Sequence, residues 1–119
     1  MKKILAIDFD ETIAKRSSVI KEGDVIRRSE SLIEGSKEFI NVAKDDFEIL
    51  IFSARTDIKR PYFQEKMRDM IEFLDTHGVY YDRIVDVCEG KPYADFYIDD
   101  KAINFNNNWD EILDKLGYI

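Results

Sequence analysis

Apolar residues in this chain fall into short runs and stripes, and their period changes along its length. Residues 3–8, KILAID, form an unbroken run, the pattern of a central strand buried on both faces. The stretch 15–31, KRSSVIKEGDVIRRSES, is polar with β-branched patches, and Glu22-Gly23-Asp24 is a turn signal. It predicts a hairpin-like excursion around Gly23. Ile33, Phe39, Ile40 and Ala43 give a helical face over 34–45, and FEILIF at 47–52 is a second buried strand ending at Ser53. The clearest helix covers 59–76, where Phe63, Met67, Met70, Ile71 and Leu74 form one core stripe. Pro61 fits its first turn and Gly78 lies just past its end. RIVDV (83–87) and ADFYID (94–99) read as short strands. NWDEILDKLG reads as a closing helix with Trp109, Ile112, Leu113 and Leu116 on one face. Strands alternating with helices predict an α/β fold, its parallel sheet covered on both sides.

Composition narrows the class. A chain of 119 residues is expected to form one domain with a real core, and 45% apolar with 36% charged residues is ordinary for a folded soluble protein. The net charge of -7 argues against a general nucleic-acid or membrane-surface binder, because both partners are polyanions. Cys88 is the single cysteine, so no internal disulfide forms, and it reads as a small buried residue. The apolar run behind MKK is too short for a signal peptide, and no run is long enough to span a membrane. A cytoplasmic protein is expected.

Chemistry collects at the strand ends, the rim where ligands bind in such sheets. The first strand ends in Asp8 and Asp10, the second in Ser53-Ala54-Arg55, and FYI runs into Asp99-Asp100, with Lys91 in the loop before it. Four carboxylates on one rim would repel and raise at least one pKa unless a cation were present. A hard divalent cation resolves this, and Mg2+ is the natural candidate. Lys91 and the Ser53 hydroxyl would then hold a phosphoryl group while an aspartate attacks phosphorus.

DFDET, IFS and KPYADFYIDD, in this order over residues 8–100, resemble the signature segments of the haloacid dehalogenase (HAD) superfamily. The resemblance implies a three-layer Rossmann-like core and Mg2+-dependent phosphomonoester hydrolysis through an aspartyl-phosphate. It makes Asp8 nucleophile and metal ligand, and Asp10 the general acid and base that gives the metal its backbone carbonyl. Thr12 would support the loop, Ser53 bind phosphate, and Lys91 bridge Asp8 and the phosphoryl group. Asp100 would ligate the metal directly and Asp99 through water. Most members carry Gly where this chain has Glu11, which puts Glu11 next to the substrate, as Arg55 also would be. More narrowly, the chain resembles small capless phosphatases encoded with capsule-polysaccharide genes.

No room is left for a cap domain, so 15–31 would act as a short flap. Within 15–28, Lys15, Arg16, Lys21, Arg27 and Arg28 against Glu22 and Asp24 give a local +3. Recruitment of an anionic substrate and plain solvated charge fit this equally. The open site suits a phosphorylated macromolecule, or a sugar phosphate or nucleotide under the cover of a neighbouring subunit. Plainer roles are also open: Ser53 as a helix cap, Arg55 in a surface ion pair, His77 at a helix C-terminus, and Tyr62, Tyr93 and Trp109 in packing. Asn104 and Asn106–Asn108 read as a polar loop and cap. A receiver-type phospho-acceptor domain is the main alternative, with a catalytically silent relative behind it. Residue order disfavours the receiver, in which the lysine comes last and the second strand ends in Asp.

Overall fold

The computed structural model describes residues 2–22, 25–86 and 90–119. The chain runs β1 (Lys3–Asp8), β2 (Ala14–Glu22), β3 (Val25–Leu32), α1 (Ser36–Ala43), β4 (Phe47–Phe52) and a 3-10 turn (Ala54–Thr56). It continues through α2 (Phe63–Thr76), β5 (Arg83–Val85), β6 (Phe96–Ile98) and α3 (Trp109–Lys115). Four strands form a parallel sheet in the order β5-β4-β1-β6. β1 pairs with β4 from Lys3 opposite Phe47 to Asp8 opposite Phe52, and with β6 from Leu5 opposite Phe96 to Ile7 opposite Ile98. The chain first winds to one side of β1 and then crosses to the other, so a topological switch point lies between β1 and β6. β2 and β3 pair separately as an antiparallel hairpin, bulged between Arg16 and Ser18.

The strand alternation explains the core. Leu5, Ile7 and Phe9 share one face with Ile49 and Ile51, against Ile40 and Ala43 of α1 and Met70, Phe73 and Leu74 of α2. Ala6, Leu50 and Val85 fill the opposite face under Ala94, from the connection between β5 and β6. Both long helices therefore cover the same face, and α3 buries none of its residues. The architecture is α/β and Rossmann-like, with helical cover on one face where the alternating pattern predicted it on two. Among the described residues no helix is long and apolar enough to cross a membrane.

Several expectations shift in detail. The hairpin lies where it was expected, while its tip, Gly23 and Asp24, and also Val87 and Cys88, lie outside the described residues. The flap charges on Lys21, Glu22, Arg27 and Arg28 also lie outside what is described of side chains. α1 starts after Gly35, whose φ of 88° suits glycine, and Phe39 is 47% exposed instead of core. α2 begins at Phe63, so Pro61 precedes it, and its apolar residues split: Met70, Phe73 and Leu74 are buried while Met67 is only half-buried. The stripe was broader than the contact with the sheet. Trp109, Leu113 and Leu116 are exposed, as are Tyr62 and Tyr93, because no sheet face meets them. His77 caps the end of α2 with its ring 4.2 Å from that of Phe73, as expected of a structural residue.

Two aspartates close the parallel ladder just before β5 and β6. The Asp82 amide donates to the Ile49 carbonyl (2.9 Å), and its carboxylate accepts the Ile49 N–H (2.7 Å). Asp95 makes the same pair of bonds with Ile4 at 2.8 and 2.7 Å. Partial burial works to raise the Asp82 pKa, but the Tyr80 hydroxyl at 2.6 Å, the Ile49 N–H and the Lys2 charge outweigh it and lower the pKa. A depressed carboxyl pKa stabilises the fold at neutral pH and loses that contribution as the group is protonated. Asp82→Ala should lower unfolding free energy at pH 7 by about 1–2 kcal/mol. Urea titrations should show the difference from wild type shrinking as pH falls below the ordinary carboxylate range.

Candidate metal centre and its acid

Strand β1 runs out through Asp8, Phe9 and Asp10. Phe9 is fully buried, with its ring edge-on to Phe73 at 5.6 Å, so the alternation turns both flanking carboxylates away from the core. The chain then curls around one acceptor: the amides of Thr12, Ile13 and Ala14 donate to the Phe9 carbonyl at 3.3, 2.9 and 3.1 Å. Glu11 completes the curl at φ 62°, in the left-handed region, at a cost of about 1 kcal/mol for a residue with a side chain. Its carboxylate accepts the Arg16 N–H at 3.2 Å.

The two aspartates meet different surroundings. Parallel pairing with β6 brings Asp99 and Asp100 to Asp8, and carboxylate oxygens of the three lie within 4.8 Å of one another. Among the described residues no lysine or arginine pairs with any of them. Burial, then the Asp99 charge, raises the Asp8 pKa to about 6, against the Phe9 N–H that donates to it at 2.9 Å; Asp10 and Asp100 add to the rise. Three convergent hard oxygen donors without a counter-charge match the donor chemistry of Mg2+.

Asp10, by contrast, is neutralised. Arg55 donates to it from Nη2 (2.8 Å) and from Nε to both oxygens (3.2 Å each), and Ser53 Oγ lies 3.4 Å from Oδ2. Arg55 also pairs with Glu30 of β3, donates to the Lys66 carbonyl at 3.3 Å, and lies 5.0 Å over the Phe9 ring. Burial works to lower its pKa, and the bonds and charges of Asp10 and Glu30 more than reverse this.

A cavity of about 360 Å3 opens on these groups. Asp8, Asp10, Asp99 and Asp100 line it together with Glu11 and Ala54, and three cations stand at it: Arg16, Arg60 and Lys101. The four aspartates and Glu11 thus come together as expected. Ser53, Arg55, Thr12 and Lys91 do not line it. Ser53 is buried and its Oγ accepts the Arg55 N–H at 3.1 Å, capping the 3-10 turn, the plainer of its two roles. Arg55 is only 7% exposed and faces Asp10. Lys91 Nζ lies 4.2 Å over the Tyr97 ring. Thr12 lines a separate, largely apolar cavity of about 270 Å3 between the sheet and α1, and its buried Oγ1 has no hydrogen-bond partner. Arg60, Lys101 and Glu30 are missed by sequence reasoning. Only Lys101, directly after the acidic pair, carried a signal.

Searches of protein-family models, curated proteins and solved structures find no match to this chain.

Because the Thr12 hydroxyl makes no bond, Thr12→Val should be neutral or stabilising by up to about 1 kcal/mol in chemical denaturation. The raised Asp8 pKa gives a second expectation. The folded metal-free protein holds this proton up to about pH 6, whereas an unfolded aspartate loses it near pH ~4. Stability contributed at this site is therefore highest below both values and declines as pH rises through about 6. In EDTA, Asp8→Asn should raise Tm at pH 8, and the gain should fade toward pH 4.

Proposed function

We propose that this chain is a Mg2+-dependent phosphomonoester phosphatase of the HAD type, working through an aspartyl-phosphate on Asp8. The observation that carries the reading is the convergence of Asp8, Asp99 and Asp100 within 4.8 Å at the switch point, with Asp10 on the same cavity. The left-handed backbone at Glu11 adds support, because it is the conformation that the glycine found there in most of that superfamily adopts freely.

Asp8, Asp99 and Asp100 would hold the cation, with Asp8 presenting its other oxygen to phosphorus. A divalent cation held there supplies the positive charge that keeps Asp8 ionised and screens the phosphoryl oxygens. A carboxylate oxygen of Asp8 attacks phosphorus, the bond to the ester oxygen breaks, and Asp10 gives its proton to that oxygen. Water then attacks the same phosphorus as Asp10 takes back a proton, and the Asp8–phosphorus bond breaks to release phosphate. Arg16, Arg60 and Lys101, on the cavity, are better placed than Ser53 or Lys91 to meet the phosphoryl group. The cavity stands open to the bulk of a sugar phosphate, a nucleotide or a phosphorylated polymer end.

Phosphate release across sugar phosphates, nucleotides and phosphorylated oligonucleotides or peptides tests this. Turnover should require Mg2+, stop in EDTA and return when Mg2+ is restored. Asp8→Asn should lower kcat by more than about a thousandfold. Near-normal activity of that variant would refute the mechanism. Lys101→Ala should raise KM by about fivefold while Lys91→Ala leaves it unchanged, as expected for losing one exposed charge contact of about 1 kcal/mol.

A further inference from the structure

We infer that Arg55, braced by Glu30, is a positioning residue that fixes the carboxyl group of Asp10 for proton transfer. The inference rests on the phosphatase reading above and deepens it. Asp10 lies two residues past the end of β1, and apart from Arg55 its carboxylate meets only the longer contacts of Ser53 Oγ at 3.4 Å and Arg16 Nη2 at 3.9 Å among the described residues. Arg55 closes on both of its oxygens, from Nη2 at 2.8 Å and from Nε at 3.2 Å. A planar guanidinium held this way restricts rotation of the carboxyl group in a way a single ammonium contact cannot. The same Asp10 is partly exposed and lines the cavity beside Asp8, so the clamp holds it at the reacting centre and not away from it.

The clamp is itself anchored. Arg55 is nearly fully buried, its Nη1 is tied to the Lys66 carbonyl at the start of α2, and the Phe9 ring lies beneath it. With Nε, Nη1 and Nη2 all engaged inside the protein, Arg55 has no free edge for a phosphoryl oxygen. Glu30 is the other brace. It comes from β3, near the base of the hairpin, where Arg16 pairs with it across the strands. It gives the buried guanidinium a second counter-charge and a second point of attachment beside Asp10. The hairpin thereby reaches the acid through one arginine.

Positioning of an acid shows in leaving-group dependence. p-Nitrophenyl phosphate expels a stable phenolate without help, whereas β-glycerol phosphate needs a proton delivered to its alkoxide, and kcat/KM reports the steps up to that cleavage. Arg55→Lys keeps the charge and loses the fork. It should lower kcat/KM for β-glycerol phosphate by about 30- to 100-fold and for p-nitrophenyl phosphate by less than about fivefold. Glu30→Gln should shift the same ratio in the same direction by a smaller factor, with Asp10→Asn setting the upper limit. Thermal melts accompany each variant, and Glu30→Gln, which leaves the Arg55–Asp10 pair intact, supplies the reading if Arg55→Lys does not fold. Equal losses on both substrates, or no loss on either, would overturn the positioning role. Absence of Mg2+-dependent turnover in the wild type on both substrates would overturn the phosphatase reading and this inference together, and it would be seen before any variant is made.

Discussion

The geometry of the site hangs on the burial of one ring. Phe9 separates two carboxylates and is itself fully enclosed, edge-on to Phe73 and under the Arg55 guanidinium. Burying such a ring is worth about 2–3 kcal/mol, and strand geometry then leaves Asp8 and Asp10 no choice of side. The hydrogen bonds that gather on the Phe9 carbonyl set the exit of the chain into the hairpin, and with it the place from which Glu30 returns to Arg55. Core packing, loop shape and charge placement are here consequences of a single side chain.

From that shared origin the two carboxylates diverge. Asp8 keeps company with Asp99 and Asp100 and has its proton affinity raised by burial and repulsion, whereas Asp10 is matched by a buried arginine. Groups of identical chemistry on either side of one residue thus meet opposite electrostatic surroundings, one among like charges and one against a cation. The uncompensated cluster is a local destabilisation, offset by a core that packs both faces of the central strands.

What the sequence made legible follows the same physics. KILAID and FEILIF were readable as strands because unbroken apolar runs between polar turns have few other uses, and their ends located the aspartates and Glu11 on one rim. A strand end gives a rim position but not which way a following side chain turns. Ser53 and Arg55 therefore went to the interior, where a cap and an ion pair absorbed them. Lys91 lies in a long connection whose path no periodicity encodes, and its ammonium settles over Tyr97. Arg60, Lys101 and Glu30 come to the site from turns and a hairpin, elements whose partners are tertiary. The apolar face of α3 was read correctly as amphipathic, yet amphipathicity names no partner, and none of its residues is buried.

β6 is an edge strand of three residues, with Phe96 and Tyr97 largely exposed, and it alone carries Asp99 and Asp100 to the switch point. A short edge strand is the part of a sheet that opens first in native-state fluctuations. Any ligand that engages Asp8 and Asp100 at once bridges β1 and β6, so its binding free energy is added to the pairing of those strands. Fraying of the edge and emptying of the site are then one equilibrium, and amide exchange along β6 becomes a measure of occupancy.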